Sequence, residues 1–210
     1  CSCSNQSPSQ SIQNVDAVLF EINSNKDNSI IIDVRTKEEF VSGHISDATN
    51  IDYYGSDFKE KLDLVKKDVP ILVYCRSGGR SSRAANIMQS LGFTEVYNLS
   101  GGIGAWKESG FDVIKTRQEK KNKSRKYSAK EINEFLKNNK SAILDFSTQW
   151  CVPCKKMKPV LDEISNERDV KILTLDLDAN KELSKLYNIK SVPTHIIYKD
   201  NIEIFRSSGL

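Results

Sequence analysis

Apolar residues along the chain fall into short continuous runs that alternate with stretches of helical spacing. Val15, Val18, Leu19 and Ile22 recur at helical intervals and predict a first helix. Ser29–Val34 (SIIIDV) is a β-branched, unbroken run, the pattern of a strand buried on both faces. Thr36 and Glu39 form a capping box for a short helix that Gly43 ends. Ile71–Cys75 (ILVYC) reads as a second buried strand. Ser81–Leu91 follows as a helix with Ala84, Ala85, Ile87, Met88 and Leu91 on one side, and Glu95–Leu99 as a third strand. Strands alternating with helices predict a parallel sheet in an α/β fold.

After Phe111 the pattern breaks into KTRQEKKNKSRK and resumes at Ser128, which with Glu131 makes a second capping box. Ser141–Ser147 is a strand, and Cys151–Arg168 a long helix in which Pro159 removes an internal hydrogen bond. VKILTLDLD is a further strand, Lys181–Tyr187 a helix, and THIIYKDNIEIFR a hairpin turning at Asp200–Asn201. The expected organisation is a flexible N-terminal tether (1–13), an α/β domain (14–112), a basic linker (113–126) and a second α/β domain (127–210).

Hydrophobic residues make up 38% and charged residues 28% of the 210, ordinary for a globular chain, and no apolar run is long enough to span a bilayer. The net charge of +3 is uneven. Lys115–Lys126 holds seven Lys/Arg against one Glu, which leaves −3 for the rest. The basicity belongs to one segment, and neither flank has the character of a nucleic-acid-binding face.

Five cysteines stand at positions 1, 3, 75, 151 and 154, an odd count with one close pair, which is reactive sulfur and not a disulfide framework. Cys1 and the polar stretch after it resemble the start of a mature bacterial lipoprotein, with a lipidated cysteine on a flexible tether; the competing reading is an arbitrary boundary. The lipoprotein resemblance implies an extracytoplasmic, lipid-anchored protein facing the periplasm, with Cys1 as its one membrane contact.

Cys75 opens the loop Cys75-Arg76-Ser77-Gly78-Gly79-Arg80 between a strand and a helix. Glycines let successive N–H groups turn inward, and the helix adds its positive end, so a cysteine here is expected as a thiolate. The same cradle fits an oxyanion or the outer sulfur of a persulfide. With DVRTKEEFVSGHI, the CRSGGRS loop and NLSGGIGAW in order, the first domain resembles a single-domain rhodanese over nearly all its length. Asp47 departs from the glycine the family often has there. Rhodaneses that handle sulfur have six residues from the cysteine to the closing arginine, as Cys75–Arg80 does, whereas related phosphatases have one more. The resemblance implies that thiosulfate or a similar donor leaves its outer sulfur on Cys75, with Arg76, Ser77, Gly78, Gly79 and Arg80 binding the anion. The rival is a module that has lost catalysis and docks partners. Asp33 and Arg35 are expected to brace the sheet, and His44 to serve as a structural hydrogen-bonder.

Cys151-Val152-Pro153-Cys154 lies between a strand and a helix. At a helix start the first sulfur is expected exposed with a lowered pKa, and the second more buried. Zinc is the competing reading, but only His44 and His195 offer ligands beyond the cysteines. With Trp150 before the pair, Asp145 on the preceding strand and Pro193 in SVPT, this domain resembles thioredoxin. The resemblance implies that Cys151 attacks, Cys154 resolves, Asp145 helps move the proton of Cys154, and Pro193 is cis and faces the dithiol beside Trp150. Ser147 stands where an aromatic is common, and Thr174 where thioredoxins often keep a lysine that pairs with the buried aspartate. His195 is either a plain strand residue or a residue that tunes the dithiol. The terminal helix of the family is expected to be missing after Gly209-Leu210.

Together these features predict a sulfurtransferase coupled to a thiol-disulfide oxidoreductase. Its expected partners are a sulfane-sulfur donor, protein or small thiols and a reductant for the dithiol, with no cofactor and no metal. The alternatives are an extracytoplasmic disulfide oxidoreductase with a docking domain, and a non-catalytic thiol-binding module.

Overall fold

A computed structural model describes residues 11–26, 28–115 and 124–209. The chain divides into two compact units, Cys1–Leu62 with Lys67–Glu119 and Asp63–Lys66 with Lys120–Leu210. Cys1 and Cys3, with the expected lipid attachment, lie outside the described residues, as do residues 116–123 of the linker. Among the described residues no helix is long and apolar enough to cross a membrane.

The first unit runs β1 (Ser11–Val15), α1 (Ala17–Ser24), β2 (Ile30–Asp33), α2 (Lys37–Ser42), β3 (Thr49–Asn50), α3 (Phe58–Asp63), β4 (Pro70–Tyr74), α4 (Gly79–Ser90), β5 (Glu95–Leu99) and α5 (Gly102–Glu108). Its five strands are all parallel, in the order β1-β5-β4-β2-β3. Central strand β4 is buried on both faces: Leu72 and Tyr74 join a core with Phe20, Phe40, Leu99 and Trp106, while Ile71 and Val73 are equally covered on the other side. Phe20 meets Tyr74 and Trp106 edge to face at 6.3 and 6.0 Å. The parallel arrangement brings the ends of β2, β4 and β5 to one edge of the sheet, where open α/β sheets place their ligands.

Several expectations change. Residues 11–13, assigned to the tether, begin the edge strand β1: polar side chains suffice because the ladder to β5 and the Asn98–Asn14 side-chain bond (2.7 Å) hold it. Helix α1 forms, but Val18, Leu19 and Ile22 are about half exposed or more (54, 48 and 57%), and Ala17, Phe20 and Asn23 face inward. The large Phe20 ring takes the core place that three aliphatic residues competed for by spacing alone. The linker is shorter than expected at both ends. His44 and Ile114 exchange backbone hydrogen bonds at 2.9 Å, and the Asn180 side chain holds Arg125 O and Tyr127 N.

The second unit runs α6 (Ala129–Asn138), β6 (Ser141–Ser147), α7 (Val152–Glu167), β7 (Lys171–Asp176), α8 (Lys181–Leu186), β8 (Thr194–Lys199) and β9 (Ile202–Ser208). Its mixed sheet has the order β7-β6-β8-β9, with β6–β7 parallel and the other pairs antiparallel. Capping boxes start α2 and α6 as the sequence predicts. Asp200 and Asn201 take positive φ (49° and 65°) at the β8–β9 turn. No helix follows β9 among the described residues, and its Ile202, Ile204 and Phe205 are each more than half exposed.

One close approach controls the first unit. Ile103 N–H donates to Cys75 O at 2.9 Å and Gly104 N–H to Arg76 O at 3.2 Å, so α5 begins directly against the cysteine loop. A Cβ on Gly102 (φ +61°) would lie 2.4 Å from Cys75 O, whereas Gly110 (φ +83°) has open space. Gly102→Ala is therefore expected to destabilise the chain by about 3 kcal/mol or more, and Gly110→Ala by only the left-handed strain of about 1–2 kcal/mol. Denaturant midpoints measure both, and equal losses would contradict the packing.

Candidate functional site

Cys75 follows β4 directly and is 1% exposed. The chain then turns through Gly78, whose φ of 98° makes it the N-cap of α4. Gly79 and Arg80, expected in the loop, are thus the first turn of the helix, because a left-handed N-cap lets helical geometry begin at once. Gly78 N–H donates to Cys75 Sγ at 3.2 Å, and the Ser81 hydroxyl reaches the same sulfur at 3.5 Å. Burial pushes the Cys75 thiol up. The Ser81 hydroxyl and the backbone N–H groups of Ser81, Ser77 and Gly78 outweigh that, leaving the thiol below its ordinary value.

Arg80 does not point its fork at the sulfur. It holds Glu39 of α2 with two bonds, 2.7 and 2.8 Å, and acts on Cys75 only as a nearby charge. The ion pair draws Glu39 down to about 2. Arg35 is likewise bound to buried Asp33 (2.6 Å) and to Gly43 O (2.8 Å), the bracing role expected of that pair. His44 is buried, bonds Phe40 O through Nδ1 at 2.9 Å and is depressed chiefly by burial. Asp47 has φ 61°, the left-handed turn that favours glycine. A cavity of about 650 Å³ lies beside the loop, with walls that include Arg35, Glu39, Arg76, Ser77, Ile103 and Lys107. Exposed Arg76 and Ser77 present a cation and a hydroxyl to it.

In the second unit Cys151 is the N-cap of α7, and its Sγ accepts the Cys154 N–H at 3.1 Å. The two cysteines are joined as a disulfide. Contrary to the expected exposed first sulfur, Cys151 is 2% and Cys154 9% exposed. Capping turns the Cys151 sulfur in over the first turn of the helix, and both residues pack in the core cluster with Leu144, Phe146, Val192 and Ile196. Pro193 follows a cis peptide bond. Trp150 packs against this core and donates through Nε1 to Asp178 at 3.1 Å.

Asp145 is 7% exposed and accepts from Thr174 Oγ1 at 3.0 Å. Register pairs Asp145 with Thr174 on β7 and His195 on β8, so the three share one face of the sheet. Among the described residues no group of three His, Cys, Asp or Glu side chains is arranged to hold a metal. Sequence reasoning missed Ser81 as a sulfur ligand and Glu39 as the partner of Arg80. Ser81 follows Cys75 by six residues, which one loop and one helical turn close up. Glu39 was legible only as a cap.

Residues 17–109 match the rhodanese-like domain family and residues 123–210 the thioredoxin family. A thioredoxin of Mycobacterium tuberculosis is 40% identical over 78 residues, 36% of this chain and 67% of that protein. The protein HIGH ARSENIC CONTENT 1, mitochondrial, of Arabidopsis thaliana is 39% identical over 90 residues, 38% of this chain and 53% of that one, so the chain spans only about half of its length. The solved rhodanese-related protein of Thermoplasma volcanium is 29% identical, with 49% of this chain and 97% of that one aligned and a TM-score of 0.44.

Two outcomes are expected from the sulfur cradle. Ser81→Ala removes a hydroxyl that stabilises the thiolate, so the rate of Cys75 alkylation against pH should move to higher pH. An unchanged profile would remove Ser81 from the site. The depressed Glu39 contributes stability that is complete above its ordinary value of 4.5 and lost as pH falls toward about 2. Acid titration of Glu39→Gln should lack the part of the stability loss that wild type shows in that window.

Proposed function

We propose, for a chain that belongs to the rhodanese-like family over residues 17–109 and to the thioredoxin family over residues 123–210, that a sulfane sulfur taken up on Cys75 is reduced by the Cys151–Cys154 pair. The two domains make the protein sulfurtransferase-like and thiol-redox in character. The observation that carries the finer reading is the Cys75 sulfur, buried yet accepting from the Gly78 N–H at 3.2 Å and the Ser81 hydroxyl at 3.5 Å, which favour the thiolate. Such a thiolate is a nucleophile, and the cavity walled by Arg76 and Ser77 of the same loop has room for a donor anion.

Cys75 thiolate attacks the outer sulfur of thiosulfate, a Cys75 S–S bond forms, and sulfite leaves with the electron pair of the broken bond. Cys151 thiolate then attacks that outer sulfur and returns Cys75 as thiolate. Cys154, after losing its proton, attacks Cys151 Sγ. A disulfide closes, and the sulfur leaves as hydrosulfide once it has gained a proton. The dithiol is oxidised by two electrons and the sulfane sulfur reduced by two. A dithiol reductant restores the pair. Residence on one chain raises the effective concentration of each sulfur for the other to about the millimolar range. Thiosulfate stands here for the class of sulfane-sulfur donors.

Single-turnover sulfide release tests the relay. Reduced protein is loaded with thiosulfate, freed of excess donor and followed in time. Wild type should release sulfide at a rate independent of protein concentration, Cys75→Ser should take up no sulfur, and Cys151→Ser should keep the persulfide on Cys75. Equally fast release from Cys151→Ser would overturn the relay. Arg80→Ala should slow loading without abolishing it, since the backbone N–H groups remain.

A further inference from the structure

The carboxylate of Glu39 does two things at the edge of the first sheet. It holds the Arg80 fork with bonds of 2.7 and 2.8 Å, and its residue is a wall of the cavity beside the cysteine loop. The pair is partly buried, with the Arg80 and Glu39 side chains 15 and 30% exposed, so its two charge-assisted bonds are strong ones. The Tyr54 ring lies 5.8 Å from the same guanidinium, which is thus held on two sides. Arg80 is also a cation whose charge acts on the Cys75 sulfur. Ser77 ties the cavity to that sulfur: its N–H favours the Cys75 thiolate, and the residue itself is a cavity wall.

A doubly charged oxyanion is poorly served by this arrangement. To take the Arg80 fork it must displace both bonds to Glu39. It then leaves a bare carboxylate on the wall beside it, which repels it in proportion to its charge. The rest of the wall carries both signs, with Arg76 and Lys107 against Glu108. The cavity volume of about 650 Å³ is that of sites for organic ligands, far more than a small tetrahedral ion fills.

We infer that Glu39 is a specificity-determining residue, which disfavours doubly charged donors such as thiosulfate and favours organic sulfane-sulfur donors that carry one negative charge. The inference rests on the uptake of sulfur by Cys75 proposed above and names the donor class. Organic thiosulfonates and persulfide anions meet that description. With a thiosulfonate, the Cys75 thiolate attacks the sulfane sulfur, a Cys75 S–S bond forms, and the organic sulfinate leaves with the electron pair of the broken bond. With a persulfide the organic thiolate leaves in the same way. The organic part of the donor occupies the cavity, where Arg76 and Lys107 meet its acidic groups and Glu108 its basic ones.

The test reads anion binding at Cys75 and needs no sulfur transfer. In the reduced full chain, alkylation of Cys75 by neutral iodoacetamide is followed by peptide mass spectrometry at constant ionic strength. Sulfate and methanesulfonate serve as unreactive probes of double and single charge. Glu39→Gln should tighten protection by sulfate about tenfold and by methanesulfonate about threefold, since the repulsion scales with the charge of the ligand. A Glu39 that merely anchors α2 to α4 would change protection by both probes equally or weaken it, and either result would overturn the inference. If Glu39→Gln does not fold, the wild type decides. Sulfate titration should then move the Arg80 Nε–H signal in NMR as the fork leaves Glu39, and an unmoved signal would overturn the inference equally. Thiosulfate and methanethiosulfonate are compared as donors in the loading of Cys75. Failure of both to load it, with the change in protection intact, would remove the uptake reading and leave the charge selection standing.

Discussion

A sulfur buried at the start of a helix stays reactive only while backbone N–H groups point at it. Both units of this chain meet that constraint in the same way. Cys75 Sγ accepts from the N–H three residues on, at 3.2 Å, and Cys151 Sγ does so at 3.1 Å. In each case a strand ends, the chain turns, and the first free amides of a helix converge on the sulfur instead of on water. Burial alone would neutralise a thiolate. At Cys75 the donors outnumber that penalty, which is why a nearly inaccessible residue still has a lowered pKa.

Much of the first unit is arranged to keep that geometry. The loop carbonyls of Cys75 and Arg76 are taken by the N–H groups of Ile103 and Gly104, which fixes the loop from behind and leaves its own N–H groups for the sulfur. The approach is so close that Gly102 has no room for a side chain. Two arginines at this edge are spent on carboxylates, Arg35 on Asp33 and Arg80 on Glu39. Their charge remains near the site while their forks hold β2, α2 and α4 in register. The cavity beside the loop therefore offers Arg76 and Lys107 as cations together with the paired Glu39, a mixed wall and not a purely positive one.

In the second unit the proton is the harder problem. A dithiol that closes on itself must shed a proton from the sulfur that attacks last, and a buried carboxylate stands on the strand that leads into the pair. Three strands contribute one residue each in register: Thr174, Asp145 and His195. The row depends on pairing between segments that are far apart in sequence, since 29 residues separate Asp145 from Thr174.

Strand runs, capping boxes, the cysteine spacings and the order of the two domains were legible in the residues themselves, because they rest on local backbone preference and on motifs a few residues long. The Ser141–Ser147 strand and the Thr36–Glu39 and Ser128–Glu131 caps match the prediction residue for residue. What depended on non-local contact was not legible. Spacing could not tell which face of α1 turns inward, since Phe20 is chosen by Tyr74 and Trp106 across the core. Ser11–Val15, with polar residues at three of five positions, became a strand because β5 offered a free edge. Glu39 as the partner of Arg80, 41 residues away, and His195 as the neighbour of Asp145 exist only once helices and strands have been brought together. Local chemistry determined which sulfurs are present and where each meets a helix; the tertiary fold decided which charges and protons surround them.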